Sequence, residues 1–259
     1  MKTIPNTPRQ LAVAAAVLVL HLAPPVHAAT FTLNPSADAF VTTGPTGNLT
    51  GNNYGGAGAL SVAAPGLAQG EFQSVLQFDL SAARASFDTQ FGAGQWTLQS
   101  VTLSLTATSP NNAIFNSTAA GQFGVSWMRN NSWVEGSGTP ATPTTTGITF
   151  ASLPSFASAA DENLGTFSFG GGTSGTTAYS LNLTPGFAAD ATAGDLVSFR
   201  LFAADTAVSY LFDSRSFGTS SARPLLSIVA VPEPGALSLL GTAAVLLVGG
   251  KCRRRTLPG

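Results

Sequence analysis

Apolar residues recur at every second position in short stretches along most of this chain. In the clearest stretch, apolar Val101, Leu103 and Leu105 occupy alternate positions, and polar Thr102 and Ser104 lie between them. Alternate side chains of a β-strand lie on opposite faces, so a period of two indicates a strand with one apolar face. The same pattern recurs at 76–80, 123–127, 179–184, 197–201, 208–212 and 226–228. The sequence therefore predicts a chain built mostly of half-buried strands.

Spacers rich in Gly, Asn, Ser, Thr and Pro separate these stretches, and the longest are 44–58, 136–147 and 170–177. Many short strands joined by such turns bury their apolar faces best against a second sheet. We predict an all-β fold, an antiparallel β-sandwich of at least eight strands over residues 30–230. Helical periodicity in this range is weak, and it predicts only single turns at 82–87 and 185–191.

The first 28 residues predict an export signal. Lys2 and Arg9 are positively charged, residues 11–22 are apolar, and the segment ends in the small-residue pattern Val26-His27-Ala28. A retained membrane helix is the alternative, but the apolar stretch is short and two prolines follow it. We therefore expect a signal peptide that is cleaved after Ala28.

The last 29 residues combine three elements in a fixed order. Val231, Pro232, Glu233 and Pro234 come first, the apolar stretch 235–250 follows, and the basic residues Lys251, Arg253, Arg254 and Arg255 lie near the end. The prolines favour an extended backbone. A helix over 235–250 spans ~24 Å at about 1.5 Å per residue, a marginal crossing of a hydrocarbon core about 30 Å thick. The basic residues predict that this end stays on the cytoplasmic side and that the body faces outward.

This order of elements resembles the PEP-CTERM sorting tail of exported proteins in Gram-negative bacteria that build an extracellular polysaccharide matrix. The resemblance implies a signal peptide at 1–28, an ectodomain at 30–230 and a sorting tail at 231–259. It also implies an exosortase-type membrane peptidase as a partner. The protein would stay briefly in the inner membrane, facing the periplasm, and then reach the cell surface or the matrix. An ordinary C-terminal anchor that is never cut is the alternative.

The predicted ectodomain lacks several residue types that active sites use. His21 and His27 lie in the signal peptide, Cys252 lies in the tail, and no lysine occurs between 30 and 230. Ser-His-Asp triads, Cys-His pairs, zinc sites with His or Cys ligands and disulfides are therefore excluded from it. Five arginines against eleven carboxylates give it a formal charge of −6, which argues against nucleic acid as a partner. We predict that it is not an enzyme, and a lyase or glycosidase that uses carboxylates alone is the catalytic alternative.

The ectodomain carries a second resemblance. Residues 37–41, 53–55, 60–62, 75–80 and 101–105, continued by 133–136 and 223–226, are similar to the order of elements in DNRLRE-type, disaggregatase-related jelly rolls. Those modules resemble carbohydrate-binding modules. The resemblance implies a jelly-roll form of the sandwich and an extracellular polysaccharide as the ligand. A structural matrix or adhesive protein without a discrete ligand site is the alternative.

Aromatic residues in loops are the candidate glycan contacts, because exposed rings can stack on the apolar faces of sugars and loops carry function on rigid scaffolds. Trp133 lies in a polar turn, Trp96 follows a Gly-rich turn, and Tyr54 lies in a Gly/Asn-rich loop. We predict that these three side chains are exposed. The alternative for Trp133 is a structural corner formed with Glu135. Trp127 continues the alternating apolar positions of the stretch 123–127, so it is predicted to belong to the core.

Asp38 is the candidate metal ligand. Carbohydrate-binding jelly rolls often hold a structural calcium ion, and Ca²⁺ binds carboxylate and carbonyl oxygens. The alternative is that Asp38 bonds the local backbone near a strand end or turn. No other cofactor is predicted.

Overall fold

The computed structural model describes residues 27–108, 114–116, 121–169 and 175–233. Within these residues lie eleven strands and two α-helices, so the prediction of an all-β fold is confirmed. In chain order the elements are β1 (Ala29–Leu33), β2 (Ala37–Thr42), β3 (Ala59–Ala63), β4 (Phe72–Asp79), α1 (Ser81–Phe91), β5 (Trp96–Ala107), β6 (Gly121–Met128), β7 (Glu162–Phe169), β8 (Gly175–Leu181), α2 (Pro185–Ala193), β9 (Leu196–Ala203), β10 (Ser209–Asp213) and β11 (Leu225–Pro232).

The strands pair into two antiparallel arms. In the first arm the order is β2, β4, β9, β6 and β7. In the second arm it is β1, β11, β5 and β8. Strands β3 and β10 pair with each other and join the two arms. Strand β3 pairs with β4 at Ala63–Phe72, and β10 pairs with β5 at Phe212–Ala107. The arrangement is sandwich-like.

The apolar faces of the two arms share one core. The ring of Phe123 on β6 packs edge-on against Tyr179 on β8, with 5.1 Å between centroids, and lies 5.9 Å from Phe212 on β10. One ring thus contacts strands from both arms. Most positions predicted to be apolar and inward are buried in this core, among them Leu76, Phe78, Val101, Leu103, Leu105, Val125, Val197, Phe199, Leu201, Tyr210, Leu226 and Ile228. Leu183 is an exception, because β8 ends at Leu181 and the Leu183 side chain is exposed. The period-two prediction is confirmed.

A second, smaller core lies on the other face of the first arm. The β6–β7 connection, residues 129–161, packs Trp133 and Ile148 against Val41 and Val75. Val75 is adjacent to Leu76 and therefore lies on the opposite face of β4, yet it too is fully buried. Strands of this arm are therefore covered on both faces, which the alternating pattern did not predict.

The two helices are longer than the single turns predicted from the sequence. Helix α1 has 11 residues and α2 has nine. Each buries two side chains four residues apart, Ala83 with Phe87 and Phe187 with Ala191, which lie on one face of a helix. In α2, Pro185 occupies the first turn and Gly194 ends the helix in the left-handed conformation at φ 73°.

Most of the two predicted terminal signals lies outside the described residues. Ala28, the predicted cleavage residue, is exposed and directly precedes β1. At the other end, Val231 and Pro232 are the last residues of β11, and the Glu233 N–H donates to the Gln95 carbonyl at 2.9 Å. The backbone is extended up to Pro232, whereas Pro234, the apolar stretch and the basic residues are not described. In the part of the chain that the structure describes, no helix is long and apolar enough to cross a membrane.

Candidate functional site

The three aromatic side chains predicted to be exposed are buried. Trp133, Tyr54 and Trp96 are 4%, 5% and 3% exposed. Trp133 donates its indole N–H to the Ser198 hydroxyl at 2.9 Å, and the Tyr54 ring stacks on Phe40 with 4.6 Å between centroids. The prediction of exposure is therefore wrong, because packing against other parts of the chain covers each ring. None of the three offers a free face on which a sugar could stack.

Glu135, two residues after Trp133, is the centre of a polar network. Its carboxylate accepts two hydrogen bonds from the Arg215 guanidinium, one from Nε at 2.6 Å and one from Nη2. It also accepts the backbone N–H of Asp38 at 3.0 Å. The carboxylate thus links the β6–β7 connection to β2 and to the segment after β10. This geometry favours the structural-corner alternative for Trp133 and Glu135.

Asp38 is 1% exposed and uses only one of its two carboxyl oxygens. Oδ2 accepts the backbone N–H of Arg215 at 2.7 Å, whereas Oδ1 has no hydrogen-bond partner among the described residues. Burial raises the pKa of Asp38 to about 7; the Arg215 N–H opposes this rise and the charge of Glu135 adds to it. Among the described residues, no three Asp, Glu, His or Cys side chains are grouped so as to hold a metal ion. A structural calcium ion at Asp38 stays a prediction.

We expect Asp38 to make the stability of the fold depend on pH. Its folded pKa of about 7 lies above the ordinary value of 3.8, so between these values the folded state keeps a proton that the unfolded state has lost. Stability should therefore fall as the pH rises from about 4 to about 7, by at most about 4 kcal/mol at ~1.4 kcal/mol per pKa unit.

Asp38→Asn isolates this effect because asparagine does not ionise. Urea unfolding of both proteins at several pH values from about 4 to about 8 should show that the wild type loses stability relative to the variant as the pH rises. A constant difference between the two proteins across this range would contradict the assignment to Asp38.

Asn53 fixes the path of the β6–β7 connection. Its buried side chain donates to the carbonyls of Glu135 at 2.6 Å and Ile148 at 2.8 Å. Its Oδ1 accepts the N–H groups of Gly55 at 3.2 Å and Gly138 at 3.1 Å. Gly138 lies so close that an added Cβ would come within 1.9 Å of the Asn53 carbonyl oxygen. These contacts all involve the backbone, so this network serves the fold.

An open groove of about 710 Å³ lies at one end of the first arm. It is bordered by the end of β6, the start of β7, helix α2 and the start of β9, and we call it the α2 groove. A second groove of about 660 Å³ shares Arg129 and Asn131 with it. The polar and aromatic residues that line the α2 groove are Trp127, Arg129, Asn131, Glu162, Asp190 and Asp195.

Glu162 holds the N-terminus of α2 in place at this groove. Its carboxylate accepts the N–H of Gly186 at 2.9 and 3.0 Å and that of Phe187 at 3.1 Å. First-turn N–H groups have no partner within a helix, and a negative charge suits the positive end of the helix dipole. The nearby Thr184 hydroxyl and these N–H groups lower the pKa of Glu162. Glu162 is therefore an ionised group with a structural role.

In the part of the chain that the structure describes, two polar atoms at the α2 groove are buried without hydrogen-bond partners. The prediction that Trp127 belongs to the core is confirmed, since it is 5% exposed, but its indole Nε1–H has no hydrogen-bond partner within 27–108, 114–116, 121–169 and 175–233. This N–H lies near Asp190 and lowers the pKa of that carboxyl without reaching hydrogen-bond geometry. Asn131 donates to the Leu196 carbonyl at 2.8 Å, which leaves its Oδ1 unpartnered. A buried donor and a buried acceptor at the groove are thus unsatisfied, and an ordered water or a ligand is the usual partner of such groups.

The α2 groove is acidic. Desolvation raises the pKa of Asp190, and the like charge of Asp195 raises it further. Within the described residues, neither carboxylate has an ion-pair partner within 4.0 Å. Arg129 is the only basic residue in the lining, and its attraction is the weakest of the influences on Asp190. The groove therefore favours ligands without negative charge.

No motif in the sequence singles out Glu162 or Asp190. Trp127 and Glu162 become neighbours through the pairing of β6 with β7, and Asp190 reaches them because α2 packs at this end of the arm. The residues of the groove are spread along the chain from 127 to 196. No local pattern connects them. The only sequence signal was the alternation of apolar residues that predicted an inward-facing Trp127.

Comparison with models of known protein families finds no family that matches this chain, and no curated protein matches it either. The function is therefore argued from the site itself.

Proposed function

We propose that this protein is exported to the cell surface or extracellular matrix, where its ectodomain binds extracellular polysaccharide. The observation that carries the proposal is the α2 groove, with an unpartnered donor on Trp127 and an unpartnered acceptor on Asn131. Sugar hydroxyls both donate and accept hydrogen bonds, so a polysaccharide can satisfy both groups at once. A jelly-roll form of the sandwich, with the ligand site at one end, is part of this proposal.

Retention of the mature protein on immobilised polysaccharide tests the binding proposal. The protein, in mild detergent, is passed over a panel of neutral, amino-containing and acidic matrix polysaccharides. We expect retention on at least one class and release by soluble fragments of the same polymer. If no polymer retains the folded protein, it has no polysaccharide ligand in this panel, and the structural matrix alternative takes its place.

The proposed route rests on the two ends of the sequence. A signal peptide directs export, the stretch 235–250 holds the protein in the inner membrane, and an exosortase-type peptidase releases it at Val231–Pro234. The position of β11 supports this division, since the last described strand ends at Pro232, within the proposed motif.

Replacing Pro232, Glu233 and Pro234 with alanine should block release without affecting export. The signal peptide and the apolar stretch are unchanged in this variant, so full-length protein should accumulate in the inner membrane. Fractionation with an antibody against the ectodomain, in a host with a cognate exosortase, measures the outcome. Wild-type protein found only as an uncut inner-membrane species would contradict sorting and favour a plain C-terminal anchor.

Deleting residues 251–259 is the matched comparison. The shortened chain keeps the motif but loses the basic residues that hold the apolar stretch across the membrane. Some of this protein should therefore pass uncut into the periplasm, whereas the triple-alanine variant should stay in the membrane.

A further inference from the structure

Two carboxylates of the α2 groove stand at the negative end of a helix. Asp190 lies in the last turn of α2, and Asp195 follows its end, with the Asp195 N–H donating to the Asp190 carbonyl at 3.1 Å. The C-terminal end of a helix carries partial negative charge, which disfavours carboxylates there. Arg84 bonds the carbonyl of Ala193 at 2.6 Å, but it is not among the groups that act on Asp190. The site is therefore complementary to a bound positive charge.

The same groove also offers groups that suit hydroxyls. Within the described residues, the Trp127 indole N–H, in a side chain more than nine-tenths buried, makes no hydrogen bond although Asp190 lies near it, and Asn131 Oδ1 has no donor. A bare cation could satisfy the acceptor and the carboxylates, but it could not accept a hydrogen bond from the indole. The ligand that satisfies all of these groups carries both a positive charge and neutral oxygens.

We propose that the α2 groove binds a polysaccharide whose sugars carry free amino groups. The ammonium group pairs with Asp190 and Asp195, while neighbouring hydroxyls bond the Trp127 N–H and Asn131 Oδ1. The inference rests on the polysaccharide-binding function proposed above, and it names the class of sugar. A uronic acid would bring a carboxylate to a site that already holds three carboxylates and one arginine. A neutral sugar would leave Asp190 and Asp195 without a cation.

Oligosaccharides of one length test the proposal by calorimetry at about 150 mM salt, roughly physiological ionic strength. The probes are a glucosamine oligomer, its N-acetylated form and a glucuronate-containing oligomer, with oligolysine as a cationic ligand that lacks hydroxyls. We expect the mature wild-type protein to bind the glucosamine oligomer at least about tenfold more tightly than the acetylated form, because a charge-assisted bond is lost on acetylation. The acidic oligomer should not bind measurably.

Single-charge variants separate the groove from the general charge of the protein. Asp195→Asn removes an exposed carboxylate of the groove and should weaken glucosamine binding about tenfold while leaving the acetylated oligomer unaffected. Glu71→Gln is the control, because it also removes one carboxylate, lies outside the groove lining and keeps an acceptor for Gln73. This control should bind as the wild type does. Unfolding curves check that both variants are folded.

Equal affinity for the glucosamine and acetylated oligomers would overturn the inference while leaving polysaccharide binding in place. Equal weakening by Asp195→Asn and Glu71→Gln would also overturn it, since binding would then follow net charge. Oligolysine bound as tightly as the glucosamine oligomer would identify a cation surface and not a sugar site. Failure to bind any of the sugars, together with no retention on any polysaccharide, would remove the proposed function as well.

Discussion

Replacing Asn53 with alanine should lower the free energy of unfolding by about 3–5 kcal/mol. The substitution removes four hydrogen bonds to backbone groups of Glu135, Ile148, Gly55 and Gly138. Each buried group left without a partner costs about 1–3 kcal/mol, and water that enters the site recovers part of the sum. The β6–β7 connection should loosen first, because three of the lost bonds hold its backbone.

Asn52→Ala is the matched control for Asn53→Ala. Among the described residues, the Asn52 side chain makes a single hydrogen bond, to the Tyr54 hydroxyl at 3.2 Å, at a partly buried position. Its removal should cost less than about 1 kcal/mol. Urea unfolding measures both variants, and limited proteolysis should cut Asn53→Ala early within 129–161. Equal stability of the two variants would contradict the role assigned to Asn53.

Trp133→Ala should lower the free energy of unfolding by about 3–5 kcal/mol, as expected for a large side chain removed from a core. The indole is 4% exposed, packs in the second core and bonds the Ser198 hydroxyl. Truncation leaves a cavity between the β6–β7 connection and β9, and the Ser198 hydroxyl keeps only the longer bond from Gln77 at 3.4 Å. This expectation reverses the exposed position predicted for Trp133 from the sequence.

Val134→Ala provides the contrast within the same segment. Val134 is 67% exposed, so its truncation should change stability by no more than about 0.5 kcal/mol. Chemical unfolding of the two variants under one set of conditions measures the difference. If Trp133→Ala is as stable as Val134→Ala, the second core contributes little to folding.

Period-two alternation predicted the main core because it is a local property. Residues such as Leu103, Phe123 and Tyr210 are inward because alternate side chains of a strand point to opposite faces, whatever the rest of the chain does. Trp127 was placed in the core by the same parity, and it is there. The prediction of an all-β chain followed from counting such stretches.

The alternating pattern failed where a segment distant in sequence covers the second face of a sheet. It assumes that polar positions face water, yet the β6–β7 connection covers the outer face of β2 and β4 and buries Trp133 with Val75. Polar neighbours in sequence made Trp133 look exposed. Its burial depends on where the long connection from 129 to 161 packs, which no local pattern specifies.

The α2 groove is the clearest case of a feature that only the tertiary structure decided. Composition alone excluded histidine, cysteine and lysine chemistry from residues 30–230, because residue types that are absent cannot form a site. The terminal motifs predicted the route of the protein for a similar reason, since each is a contiguous run of residues. The groove instead needs Trp127, Glu162 and Asp190 to meet, and strand pairing and helix packing bring them together. Contacts of this kind arise from the burial of apolar surface over the whole chain, so a sequence pattern read one segment at a time does not contain them.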